Sequence, residues 1–212
     1  SSLTSIEIPN SVTSIGACAF GGCSGLTNVV IPESVTSIGA CAFGGCSGLT
    51  SIEIPDNVAS IGKTAFGGCS GLTSITLPFV GDKLENPEYS NFGYIFGTEH
   101  YYYNNAFVPE SLKEVIITNA KTIEDSAFAG CNSLSSIEIP ASVTNIEENA
   151  FRNCHNLTSI KIDKNNKIYD SRNDCNAIIK TSENEIIFGC KNTIIHDSII
   201  SIGASAFDGC SS

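Results

Sequence analysis

The chain has 212 residues, 42% of them apolar and only 16% charged, with a net charge of −11. Few charges and many apolar groups exclude a disordered acidic tail and favour a large core. The first basic side chain is Lys63, so the dense positive face of a nucleic-acid binder is missing, and no apolar run approaches the roughly 18 residues that span a bilayer.

Self-similarity organises the rest. Residues 1–23, 24–46 and 47–69 are three copies of one segment, SSLTSIEIPNSVTSIGACAFGGC in the first, with a period of 23. A short copy covers 110–131, a full one 132–154, and a partial one 195–210. A period in this range predicts a solenoid with one strand-containing coil per repeat.

Each coil can be read position by position. Ile6 and Ile8 alternate with Glu7, which predicts a strand with the isoleucines inward and Glu7 outward. Pro9 lacks an N–H and ends the pairing. Val12 and Ile15 give a second inward pair on the return leg, and Ala19 and Phe20 fall in a short helical turn. Gly22 leaves that turn with positive φ; Gly45, Gly68, Gly130 and Gly209 repeat it, and Asn153 is the one substitute. One coil cannot enclose its own apolar side, but stacked coils share a core. Stacking predicts a single offset column of Phe20, Phe43, Phe66, Phe128, Phe151 and Phe207.

The recurring LTSIEIPxSVTSIGxxAFxGC pattern resembles the BspA-type leucine-rich repeat, and the match runs over nearly the whole chain. The resemblance implies an α/β solenoid that is mostly β: a right-handed superhelix of ~23-residue coils, seven to nine in number, with a parallel strand ladder and short helical turns. Residues 1–212 are then one solenoid segment, with an aromatic insertion at about 79–110 and a hairpin variant at about 175–190. It also implies an extracellular or cell-surface protein, often an adhesin for host matrix glycoproteins or other cells. No catalytic, cofactor or metal residue is carried over. The lack of a starting Met or secretory signal, and the absence of capping repeats, lead us to expect a longer natural chain with its signal and anchor elsewhere.

Ten cysteines raise the question of disulfides. Cys23, Cys46, Cys69, Cys131, Cys154 and Cys210 share one position and read as a column of buried thiols. Cys18 and Cys41 share another, filled elsewhere by Thr64, Ser126, Asn149 and Ser205; it is polar, hence exposed, and the two could pair across coils. Folding CNAIIKTSENEIIFGC about Ser182–Glu183 sets Lys180 against Glu185, Ile179 against Ile186 and Cys175 against Cys190. That pair is read either as a disulfide or as two free, partly buried thiols.

Other chemistry is sparse. His155 and His196 replace repeat residues and His100 lies in the insertion, so no Ser/His/Asp constellation forms. The segment 163–174 lacks the turn glycine and terminal Glu of a Ca²⁺ loop. Asn156-Leu157-Thr158 reads as a chance sequon within the repeat motif.

Two features exceed what a scaffold needs. The outward strand positions carry short polar groups, with Val30 and Ile116 as apolar exceptions beside Glu53 and Glu138. The insertion holds nine of the 17 aromatics in its residues 79–107, among them Tyr94 and the run Tyr101, Tyr102 and Tyr103. An extended run cannot turn all three tyrosines inward, so at least one ring is exposed, while Phe92 and Phe96 read as a small core. Residues 152–180 add six basic groups against three acids, which could meet a polyanion weakly. The reading is a non-enzymatic adhesion module, a monomer, that binds a protein or glycoprotein of a host matrix or cell surface. The alternatives are a structural spacer or stalk and an accessory repeat region of a secreted enzyme.

Overall fold

The computed structural model describes residues 3–210. Ser1 and Ser2 lie outside it, as do Ser211 and Ser212, which were expected to open a further coil. Seven short strands climb one side of a rod: Ser5–Glu7, Asn28–Val30, Ser51–Glu53, Ser74–Leu77, Glu114–Ile117, Ser136–Ile139 and Ser159–Ile162. Their pairings are all parallel, and residue i meets i+23 wherever the repeat is regular, as in Ile6 with Val29, Ile52 with Ile75 and Ile137 with Ile160. Ser74 pairs with Glu114, 40 residues on, so the insertion adds 17 residues without breaking the ladder.

A second parallel ladder forms on the return leg. Ser14–Ile15, Ser37–Ile38 and Ser60–Ile61 stack in one sheet, and Thr122–Ile123 and Asn145–Ile146 in another. The insertion fills the space after Ser60–Ile61. The Ile61 N–H donates to the Asp82 carbonyl at 2.8 Å, and Lys83 bridges Ser60 in antiparallel sense. Most inward side chains of both ladders are buried, including Ile38, Ile61, Ile75 and Ile137, as are Leu26, Leu49 and Leu72 just before the strands, while Ile6 and Ile146 are only partly buried. Full burial of each such side chain is worth roughly 1.5–3 kcal/mol, which is why coils stack rather than unwind.

The short helical turns expected in every coil are hydrogen-bonded turns instead. They stack through the backbone: the Phe20 N–H donates to Ala42 O at 2.7 Å, and the Phe43 N–H to Ala65 O at 2.8 Å. An amide that bonds the neighbouring coil is lost to an i−4 partner in its own, so helix does not propagate. The turn is left with positive φ at Gly22, Gly45, Gly68, Gly130 and Gly209, and at Asn153 with φ 59°. A second left-handed position was not expected: Cys18, Cys41, Thr64, Ser126 and Ser205 have φ of 54–62° at the head of the same turn.

The aromatic column exists but with different members. Phe20–Phe43, Phe43–Phe66 and Phe128–Phe151 stack at 5.2–5.4 Å between ring centroids, with planes within 13°. Between these groups Phe92, from the insertion, packs on Phe128 at 5.0 Å. At the far end Phe188 packs on Phe151 at 5.2 Å, in the place expected for Phe207. The hairpin displaces Phe207, whose ring lies over Gly189 so closely that a Cβ there would sit 2.3 Å from it.

The hairpin itself pairs Ala177–Lys180 with Glu185–Gly189. Lys180 faces Glu185 and Ile179 faces Ile186, as expected, but a bulge then shifts Ile178 onto Phe188. The shift takes Cys190 out of the register in which it would face Cys175, and both are free thiols, the second of the two readings, though buried rather than partly so. Cys190 donates instead to the Asn176 carbonyl at 3.1 Å, and Cys175 packs into a separate small cluster with Ile179, Ile186 and Ala206.

Candidate functional site

Residues 91–107 build a braced aromatic turn. A 3₁₀ helix, Phe92–Phe96, buries Phe92, Ile95 and Phe96 against the core, the small core expected of these phenylalanines. Gly97, with φ 130°, closes that helix by donating to the carbonyls of Gly93 and Tyr94. The chain then turns outward through His100 into a second 3₁₀ turn, Tyr101–Tyr103, and a single α turn, Asn104–Phe107.

Three buried polar residues hold this excursion, and sequence reading did not single them out. Asn104 is fully buried. Its Oδ1 accepts from the Gly93 N–H at 3.0 Å and from Asn91 Nδ2 at 3.3 Å, and its Nδ2 donates to the Ala129 carbonyl at 3.0 Å. Asn91 also donates to the Thr98 carbonyl, and Thr98 Oγ1 accepts from the His100 N–H. One carboxamide thus ties the tyrosine turn both to the first 3₁₀ helix and to the next coil. The signal available in the sequence was only an Asn after a tyrosine run; its burial depends on how the chain folds back.

All three tyrosines face solvent, with exposures of 47% for Tyr101, 58% for Tyr102 and 49% for Tyr103. The run is 3₁₀ rather than extended, so its side chains splay around the turn instead of alternating. The rings support each other: Tyr102 stacks on His100 at 5.1 Å and meets Tyr101 and Tyr103 at 5.6 and 4.6 Å. Phe107 is exposed beside them. Lys63 and Glu99 form an ion pair of 2.8 Å near this surface. That hydrogen bond raises the Lys63 ammonium pKa and lowers that of Glu99. Tyr94 is only partly exposed and stacks on Tyr89 at 4.9 Å; burial pushes its phenol up.

The strand face forms a separate surface. Val30 is 59% exposed, and it lines a shallow groove of about 490 Å³ with Pro32, Glu33, Glu53 and Pro55. Further along, Ile116, Glu138 and Lys161 line a groove of about 390 Å³. Ile116 is only partly exposed there, unlike Val30. Glu138 is held by Lys161 on the next strand at 2.9 Å, which raises the lysine pKa. None of Tyr94 and Tyr101 to Tyr103 lines either groove, so the expected site residues fall on two surfaces.

The basic stretch is largely neutralised. Arg152, Lys161, Arg172 and Lys180 pair with Asp208, Glu138, Asp170 and Glu183 at 2.5–3.2 Å. A further cleft, of about 430 Å³, opens where the hairpin meets Asn145–Ile146 and is lined by Phe151, Tyr169, Glu147 and Glu185. Among the described residues, no three His, Cys, Asp or Glu side chains converge as metal ligands, and no helix is long and apolar enough to cross a membrane.

A family model described as the BspA type leucine-rich repeat region matches in six copies over residues 1–95 and 100–184. A leucine-rich repeat protein from Eubacterium ventriosum ATCC 27560 is 27% identical with a TM-score of 0.54, over 76% of this chain and 40% of its own. A leucine rich cell surface protein from Faecalibacterium prausnitzii A2-165 is 26% identical with a TM-score of 0.45, over 96% of this chain and 57% of its own. The Treponema pallidum leucine-rich repeat protein is 24% identical with a TM-score of 0.40, over 98% of this chain and 76% of its own. The chain therefore spans about half the length of the first two solved structures it matches. No curated protein matches it.

Proposed function

The chain belongs to the BspA type leucine-rich repeat family, and on that premise we propose that it is a non-enzymatic module, displayed outside the cell, that binds a protein or glycoprotein through the Tyr101–Tyr103 turn. The observation that carries this reading is the exposure of three consecutive tyrosines on a turn whose base is fully buried. A turn needed only to cover the core would bury its rings. Tyrosine offers a large contact area and a hydroxyl for few torsions, so little entropy is lost when a partner settles on it. The brace at Asn104 lowers that loss further, because the turn is already ordered. Val30 with Glu53, and Ile116 with Glu138, offer secondary contacts on the strand face.

The test is binding of the purified chain, as a monomer, to an array of host matrix proteins and cell-surface glycoproteins. A triple variant, Tyr101→Ser with Tyr102→Ser and Tyr103→Ser, is run beside it. Binding by the native chain that falls at least about tenfold in the variant supports the reading; each buried aromatic anchor is worth ~1–2 kcal/mol or more. A native chain that binds nothing on the array, or a variant that binds equally well, overturns it in favour of a spacer. Surface labelling of intact cells tests the location.

A further inference from the structure

Cys18 and Cys41 occupy the same place in adjacent coils, and we propose that they form a redox-active dithiol that a small-molecule disulfide oxidises to an inter-coil disulfide. The geometry supports this at three levels. The Cys18 N–H donates to the Ala40 carbonyl at 2.9 Å, and two residues on the Phe20 N–H donates to the Ala42 carbonyl at 2.7 Å, so the two turns are locked one rung apart. Rungs bonded in this way lie about 4.8 Å apart, inside the Cα separation of roughly 4.4–6.8 Å that a disulfide spans. Both residues have left-handed backbone, φ 55° and 54°, so the two turns match in conformation. The two thiols are near enough to interact: after burial, the neighbouring Cys18 thiol is the next cause that raises the Cys41 pKa.

Most other thiols are engaged or hidden, while Cys23 is partly exposed. Cys46, Cys69, Cys154, Cys190 and Cys210 each donate to a backbone carbonyl at 3.1–3.3 Å. Burial pushes Cys69 and Cys154 to about 12, which removes the thiolate that attacks a disulfide. Cys18 is exposed and Cys41 partly so. The same position holds Thr64, Ser126, Asn149 and Ser205 in later coils, so small polar groups fit there and only the first two coils carry thiols at it.

The step balances with oxidised glutathione as the oxidant. The Cys18 thiolate attacks one glutathione sulfur, breaking the glutathione disulfide and releasing one reduced glutathione. The Cys41 thiol then loses its proton and attacks the Cys18 sulfur of the mixed disulfide. The second glutathione leaves with its electron pair and is protonated. Two protein thiols are oxidised, one glutathione disulfide is reduced, and the bond formed ties the first coil to the second.

The folded chain is incubated with oxidised glutathione and digested without reductant by a Glu-specific protease and chymotrypsin. Cleavage after Glu7, Phe20, Glu33, Phe43 and Glu53 places Cys18, Cys23, Cys41 and Cys46 on four separate peptides. The expected product is peptide 8–20 linked to peptide 34–43, two hydrogens lighter than their sum, with two thiols lost from the native titre. Cys41→Ser, which substitutes a hydroxyl residue of the kind found in other coils, is expected to keep its circular dichroism and to trap glutathione on Cys18. A native chain that keeps all its thiols, stops at a glutathione adduct, or links any other pair overturns the proposal. So does a folded Cys41→Ser variant that takes up no glutathione at Cys18.

Discussion

The side-chain oxygen of Asn104 lies 3.0 Å from the backbone nitrogen of Gly93, and it accepts that N–H in a site with no exposed surface of its own. A Cβ on Gly93 would lie 2.4 Å from the same oxygen, so the contact needs both a glycine and a carboxamide. The exposed tyrosines are displayed because this pair is hidden.

Asn104→Leu should therefore act as a structural lesion beneath an unchanged surface. It leaves the Gly93 N–H and the Ala129 carbonyl without their partner. Each buried group stranded in this way costs about 1–3 kcal/mol. The chemical-denaturation midpoint should fall accordingly, and hydrogen exchange should rise between residues 91 and 107. A variant with native stability and unchanged exchange would show that the brace is not what orders the turn.

The aromatic column makes a graded prediction. Phe43 is fully buried between Phe20 and Phe66, so Phe43→Ala should cost about 3–5 kcal/mol. Phe207 is only partly buried, outside the column and against the hairpin, so Phe207→Ala should cost clearly less. Equal losses in thermal or urea unfolding would put Phe207 back in the column.

Acid should loosen the hairpin first. Burial pushes the Asp170 carboxyl up, but it is outweighed by hydrogen bonds from Arg172, at 2.6 and 2.8 Å, and from Thr181 at 2.9 Å, so the pKa is net lowered. A carboxyl lowered on folding stabilises the native state above its unfolded value, about 3.9, and that contribution is lost as pH falls through the depressed folded value. Native chain should thus lose stability below about pH 4 more steeply than Asp170→Asn. Parallel acid limbs in pH-dependent unfolding would show that the Asp170 cluster contributes nothing.

The repeat was legible because its constraints are local and recur. Alternation at Ile6, Glu7 and Ile8 sets which side of a strand faces in, and Gly22 or Asn153 marks a turn that needs positive φ. Six occurrences of the same pattern turn a weak local preference into a register, since only a shift of 23 superimposes every apolar position. The left-handed residue at Cys18 was not legible, because the coils that adopt it carry Cys, Thr or Ser there, none of which is preferred in that region.

Composition and period alone determined that this chain is a stacked solenoid with an apolar interior and an aromatic interruption. Tertiary structure decided what those parts present. Phe92 and Phe188 entered the column and Phe207 left it, a one-residue bulge separated Cys175 from Cys190, and a fold-back onto Asn104 turned three tyrosines outward. The physical reason is range. Side-chain alternation and turn chemistry act within a few residues and can be read along the chain, whereas burial of one carboxamide or displacement of one ring depends on segments 20 or more residues apart that meet only after folding.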